Sequence, residues 1–195
     1  MVAPVKLSLK MYQGSTFREV LRWESSIKAY KPITGISKAA PTVITSVAHG
    51  IPIGWRAKVT NVSGMKEINS DDTYHIVTGV STDDVTINSL NSLGYTTYTS
   101  GGVLELNTPV DLTGFTARLQ IRAKVSSDVV LLELTTENGG ILLDLALNTV
   151  TILATASQTQ DLTFSSAVYS LEMIKAGEVT QLVTGNISLV KEVTR

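Results

Sequence analysis

Phe115, Ala117, Leu119 and Ile121 alternate with Thr116, Arg118, Gln120 and Arg122, which predicts a strand with one buried face. Asp111 to Gly114, just before it, carry the residues of a turn. The same period of two recurs along the chain. Val5, Leu7, Leu9 and Met11 alternate with Lys6, Ser8 and Lys10 and predict a first strand. Residues 16–24 satisfy two patterns at once: Thr16 and Glu19 could form a capping box, while Phe17, Leu21 and Trp23 fit one strand face. The neighbouring strand and the short turn at Tyr12 to Ser15 favour a hairpin partner. Residues 25–32 read as a polar, irregular connection.

From Ile33 the texture changes to Thr, Ser, Gly and Asn with short apolar runs. Strands are predicted at 42–47, at 56–62, at 74–80 with Tyr74, Ile76, Thr78 and Val80 on one face, at 85–87 and at 103–106. Residues 64–72 and 88–102 read as loops. Short strands packed this densely suggest a small barrel or compact sheet. Beyond the 109–122 stretch, strands are predicted at 129–135, 141–145, 149–153, 169–173 and 179–190, with tight turns at 137–140 and at Ala176-Gly177. Residues 156–161 form a polar bridge with room for one helical turn. No segment sustains a helical period, so the expected class is all-β.

Composition narrows this picture. The chain has 195 residues, long enough for one domain or two small ones, and 43% of them are apolar. Charged residues make up only 17%, below the usual quarter, which suits sheets and extensive protein contacts, or a plain β protein with an uncharged surface. A net charge of −1 gives no bulk attraction to nucleic acid. There is no cysteine, hence no disulfide, thiolate metal site or thiol nucleophile. No apolar run reaches signal-peptide or membrane-span length, so a soluble chain without a visible export signal is expected, with no membrane partner.

Candidate chemistry is sparse. His49 and His75 stand alone, without a third ligand at zinc spacing. Asn69-Ser70-Asp71-Asp72 offers oxygen atoms but lacks the glycine and distal glutamate of a calcium loop, and reads as a turn or at most a weak surface calcium site. Gly101-Gly102 and Gly139-Gly140 read as hairpin glycines, not phosphate cradles. Glu133, Glu137 and Asp144 could meet on folding, but their spacing does not define a carboxylate pair. No catalytic, cofactor or metal site is expected. Arg118, Gln120 and Arg122 share one strand face, either a contact surface or the wet side of a sheet. Trp55, Tyr74, Tyr95 and Tyr98 are the candidates for stacking on a sugar, or else core aromatics.

At Tyr12-Gln13-Gly14-Ser15-Thr16-Phe17, at Asp111-Leu112-Thr113-Gly114-Phe115-Thr116-Ala117-Arg118 and on through Arg122, in residues 131–141 and in the closing 185–195, the chain resembles a family of tailed-bacteriophage virion proteins. It is similar to the N-terminal domain of phage upper baseplate proteins, which implies an immunoglobulin-like β-sandwich and agrees with a strand at 16–24. In that pattern the first block and its tryptophan lead directly into the second; here Trp23 and Asp111 lie far apart. The gap holds Ala48-His49-Gly50, Gly64-Met65, Asn69, Tyr74, Tyr95, Tyr98 and Ser100-Gly101-Gly102, which resemble a small β-barrel module named after the first catalytic-cysteine half-domain of ubiquitin-activating enzymes. Without cysteine, that name implies no ubiquitin chemistry.

Together the resemblances imply a discontinuous sandwich, 1–32 plus 107–195, interrupted by a barrel module at 33–106. Insertion at a surface loop is inexpensive because closing a longer loop costs little entropy. The implied role is a non-enzymatic structural subunit of the virion, in the tail or baseplate region. It would assemble in the host cytoplasm and contact other phage structural proteins and copies of itself. A head decoration or head-to-tail junction protein is the alternative of the same class, and a host-glycan-binding module the alternative of another.

Overall fold

The computed structural model describes residues 4–70 and 72–193. Asp71 of the candidate calcium loop and the last two residues of the closing motif lie outside the described residues. In chain order the strands are β1 (Val5–Lys6), β2 (Leu9–Tyr12), β3 (Phe17–Arg22), β4 (Glu24–Pro32), β5 (Gly35–Ile36), β6 (Thr42–Thr45), β7 (Arg56–Ser63), β8 (His75–Ile76), β9 (Gly79–Val80), β10 (Asp84–Ile87) and β11 (Ser100–Pro109). There follow β12 (Thr116–Arg122), β13 (Val130–Thr135), β14 (Ile141–Asp144), β15 (Thr149–Ala154), the short helix α1 (Ala156–Gln160), β16 (Ser166–Lys175) and β17 (Glu178–Val190). The chain is all-β, as its periodicity predicts. It divides into two compact units, Met1–Trp23 with Asp111–Arg195, and Glu24–Val110.

The boundaries correct the expected ones. Residues 24–32 form a strand of the inserted unit, paired antiparallel with β11, and not a connection of the sandwich. The pattern hides it because its partly buried positions include the small Ala29 and the polar Lys31, while Ile27 is 69% exposed. Likewise β11 runs to Pro109, so the insert extends to Val110.

The discontinuous unit is a two-sheet sandwich. One sheet has the order β1–β17–β16–β12–β13, with β2 also pairing with β17; the other is β14–β15–β3. β3, β15 and β14 take the places of strands B, E and D of an immunoglobulin-like sandwich, and β12, β13, β16 and β17 those of C, C′, F and G. The insert therefore sits in the B–C connection. Leu119, Ile121, Leu171 and Met173 from one sheet share a core with Ile141, Val150 and Ile152 from the other. Burying such side chains contributes roughly 1.5–3 kcal/mol each.

The expected first strand is broken in two. β1 and β2 each run parallel to β17, and the chain steps at Leu7–Ser8. Leu7 N–H donates to Thr184 O at 3.0 Å, and the Tyr169 hydroxyl donates to Leu7 O at 2.8 Å. Burial pushes the Tyr169 hydroxyl up to about 12, so it stays a donor. The step presses Leu7 onto β17 at Gly185, where an added Cβ would overlap the Leu7 carbonyl oxygen.

The blocks that carry the phage resemblance prove to be turn and core chemistry. Gln13 donates through Nε2 to the carbonyls of Gln160 and Leu162, tying the β2–β3 turn to α1. Gly14, at φ 74°, lies against the Glu192 carboxylate. Asp111 Oδ1 accepts from Thr113 N–H at 2.9 Å, Gly114 takes φ 76°, and Leu112 is buried. Asn138 Oδ1 accepts from the N–H of Thr135 and of Gly140. The helical turn at α1 is started by a capping box between Thr155 and Gln158.

The inserted unit has two four-stranded sheets, β4–β11–β7–β8 and β5–β6–β10–β9. Their edge strands are continuous pieces of chain that bend from one sheet into the other. Ile33 N–H donates to Gly102 O while the next residue, Thr34, donates to Thr45 O. At the opposite corner Val77 N–H donates to Trp55 O at 2.7 Å and Thr78 N–H to Thr86 O at 2.9 Å. Two bent strands thus close six into a small barrel, which removes free edges. Burial keeps a period of two across this corner: Val77 is fully buried, while Ile76 and Val80 of the face shared with Tyr74 and Thr78 are 53% and 44% exposed. His49 is buried beside this core, its Nδ1 accepting from Ile51 N–H at 2.9 Å and its Nε2 facing Ser81 O at 3.0 Å.

Candidate functional site

The alternation of β12 puts Arg118, Gln120 and Arg122 on the outer side of the sandwich, and the sheet supplies partners for each. Arg118 Nη2 meets Glu172 Oε2 at 2.8 Å, and that carboxylate raises the guanidinium above its usual value. Gln120 Nε2 donates to Glu133 Oε1 at 2.6 Å and its Oε1 accepts from Arg122 Nη2 at 2.7 Å. Arg122 Nη1 reaches Ser127 O at 2.6 Å. The three expected contact residues therefore form a hydrogen-bonded ladder across β16, β12 and β13. Exposed pairs of this kind contribute about 0–1 kcal/mol each. Each of the three side chains thus has a hydrogen-bond partner within the sandwich sheet or its flanking loop.

Trp55, Tyr95 and Tyr98 all pack in or against the barrel core. Trp55 is fully buried in the barrel core, which corrects its reading as a contact residue: a large apolar ring at the entry to β7 is best satisfied inside. Tyr95 and Tyr98 are half-buried against the same core, and the Tyr98 hydroxyl lies 3.1 Å from Ile33 O and 3.0 Å from Gly101 O. The ring of Tyr74 is covered by Arg56 at 5.3 Å and Lys58 at 5.7 Å.

Around Tyr74 lies a charge cluster that the sequence does not reveal, because it depends on the pairing of β4, β11 and β7. Glu105 Oε1 accepts from Lys28 Nζ, lies 3.0 Å from the Tyr74 hydroxyl and 3.6 Å from Lys58 Nζ. Beside it, Glu24 holds the Arg56 guanidinium through two nitrogens, at 2.9 and 2.8 Å, and accepts from Asn107. The one sequence signal is Glu105 itself, a charge set between the buried Leu104 and Leu106. The Lys28 hydrogen bond holds the Glu105 carboxyl below the usual range, against the burial that opposes it, with Tyr74 and Lys58 adding. A carboxyl lowered on folding stabilises the fold above its unfolded value, about 4.3 for Glu. That stabilisation is lost as pH falls through the folded value. Urea unfolding of the barrel is therefore expected to weaken more between neutral pH and about pH 3 in the natural chain than in Glu105→Gln. Parallel pH curves for the two chains would contradict the coupling.

The remaining candidates are dispersed. Glu133 binds Gln120, Glu137 binds the Thr136 hydroxyl, and Asp144 caps the N–H groups of Ala146 and Leu147. Asn69 braces Val62 through both ends of its amide. Among the described residues no group of three or more His, Asp or Glu is placed to hold a metal ion, and no helix is long and apolar enough to cross a membrane.

Sequence reasoning also missed a groove of about 380 Å³ at one side of the sandwich. Leu112 and Phe115 form one wall, and Ile141, Leu142, Leu143 and Leu145 the other. Phe115 is fixed by an edge-on contact with Trp23 at 5.4 Å between ring centres. It is a shallow, open groove whose lining side chains are apolar apart from Thr136, with polar atoms also exposed along it. No protein-family model matches the chain, and no curated protein sequence matches it significantly.

Proposed function

We propose that the chain is a non-enzymatic structural subunit of a tailed-bacteriophage particle, placed in the tail or baseplate region and working through protein–protein contacts. The observation that carries this reading is where the resembling blocks fall. Tyr12 to Phe17, Asp111 to Arg122 and residues 131–141 occupy the turns and core strands of a sandwich with the strand order that the resemblance implies. The extra residues form a closed barrel inserted between β3 and β12. A fold bears on role only by analogy, so the reading stands on its test.

The test is retention on particles. Purified phage particles carrying this chain are washed in molar salt and the bound protein is measured by mass spectrometry. Contacts made by apolar surface and backbone pairing resist screening, so the chain should stay bound in a fixed ratio to the other tail proteins. Absence of the chain from intact particles would refute the proposal.

A further inference from the structure

β14 is an end strand of its sheet, and its ladder shows which backbone groups are free. Leu153 N–H donates to Gly140 O at 2.8 Å, and the register continues as Ile141 with Ile152, Leu142 with Thr151 and Leu143 with Val150. Hydrogen-bonded and non-bonded pairs alternate in an antiparallel ladder. Leu142 and Asp144 therefore turn their N–H and C=O groups towards β15, while Ile141 and Leu143 turn theirs to the open side. The apolar groove runs along that side. Ile141, Leu142 and Leu143 line it in succession, which is how a strand edge, and not a strand face, presents itself.

The other sandwich edges are guarded. On β13 the Asn138 amide takes Thr135 N–H at 2.8 Å and Glu133 C=O at 3.1 Å. β1 and β2 carry Lys6 and Lys10 and break at Leu7–Ser8. β3 carries Arg18, Glu19 and Arg22. Charges, caps and breaks are the means by which proteins stop strands from adding. β14 presents Ile-Leu-Leu before its first charge, and Leu142 and Leu145 are 44% and 54% exposed. The groove's surround is acidic on balance: Asp111 precedes Leu112, Glu137 follows Thr136 and Asp144 follows Leu143, all three exposed, against Lys175, whose ammonium lies 4.9 Å from the Phe115 ring centre. Hydrogen bonds from Thr113 to Asp111, and from its own backbone and Thr136 to Glu137, hold both carboxyls below their usual range and therefore charged at neutral pH.

We propose that β14 is an acceptor edge that takes an extended segment of a neighbouring protein as an added strand, apolar at alternate positions and flanked by Lys or Arg. Ile141 and Leu143 supply the backbone pairing, alternate side chains of the segment enter the groove against Leu112 and Phe115, and the basic flanks meet the acidic surround. The inference rests on the reading of the chain as an assembly subunit, and names the partner chemistry of that role.

The probes are the peptide Lys-Lys-Val-Thr-Val-Thr-Val-Lys-Lys and its Glu-flanked counterpart, added to the full chain and followed by amide hydrogen exchange. In the free chain the amides of Ile141 and Leu143 should exchange about 100-fold faster than that of Leu142, as unpaired edge groups do. The Lys-flanked peptide should slow both at least about tenfold, and the Glu-flanked peptide should bind about tenfold more weakly. Leu145→Lys, at an exposed turn position, should weaken the Lys-flanked peptide about tenfold, while Val20→Lys on β3 should not. Any of four results overturns the proposal: protected Ile141 and Leu143 amides in the free chain, protection that rises with protein concentration and so marks a second copy, no saturable response, or equal binding of both peptides. These measurements use the isolated chain, so a failure here is separate from absence of the chain from particles.

Discussion

Gly185→Val is expected to destabilise the sandwich by about 3 kcal/mol or more, at the upper end of what overpacking costs. The added side chain would overlap Leu7 O, a backbone atom that also accepts the Tyr169 hydroxyl, and a backbone atom cannot rotate away. Relief requires β1 to separate from β17, which breaks the parallel pairing at Val183 and Thr184 and strands the buried tyrosine hydroxyl. The chain supplies its own reporter. Its two tryptophans lie one in each unit, Trp23 in the sandwich and Trp55 in the barrel. In a Trp55→Phe background, the Trp23 fluorescence midpoint in urea should fall sharply for Gly185→Val. An unchanged midpoint would mean that β1 does not pack as described.

Trp55→Ala should have the second large effect, about 3–5 kcal/mol, the usual cost of emptying a fully buried aromatic site. Its ring packs in the core with Ile44, Val59, Ile87 and Leu104. Loss of stability should show as faster amide exchange at Val59 and Ile87 than in the natural chain. This variant also separates two roles for the ring. A sugar-stacking tryptophan would be dispensable for stability; a core tryptophan is not. Amide exchange equal to that of the natural chain would contradict the buried placement.

The strands that the sequence made legible are those with one apolar and one polar face, such as β12 with Ala117, Leu119 and Ile121 inside. Where that contrast fails, so does the reading. β4 places Ala29 and Lys31 at partly buried positions, which leaves no apolar signal. At 74–80 the alternation is real, but the inward positions carry His75, Val77 and Gly79 while Ile76 and Val80 are exposed, so residue type does not mark the buried face. The candidate site was legible only in part. Arg118, Gln120 and Arg122 are together because one strand carries them. The Glu105 cluster and the β14 groove join residues from separate strands, and local spacing does not encode that register. The blocks that look most distinctive, at Tyr12 to Phe17 and Asp111 to Gly114, are distinctive because turns and caps need those residues. They point to a fold, and to a function only through proteins that share it.

The most direct measurement is a cryo-EM reconstruction of intact particles, searched for this polypeptide. The account predicts density for the sandwich at ordered, symmetric positions in the tail or baseplate, with its surfaces against neighbouring subunits. Density at symmetric positions on the head would keep the structural role and move its place. Particles that are complete and infectious without this chain would contradict the account.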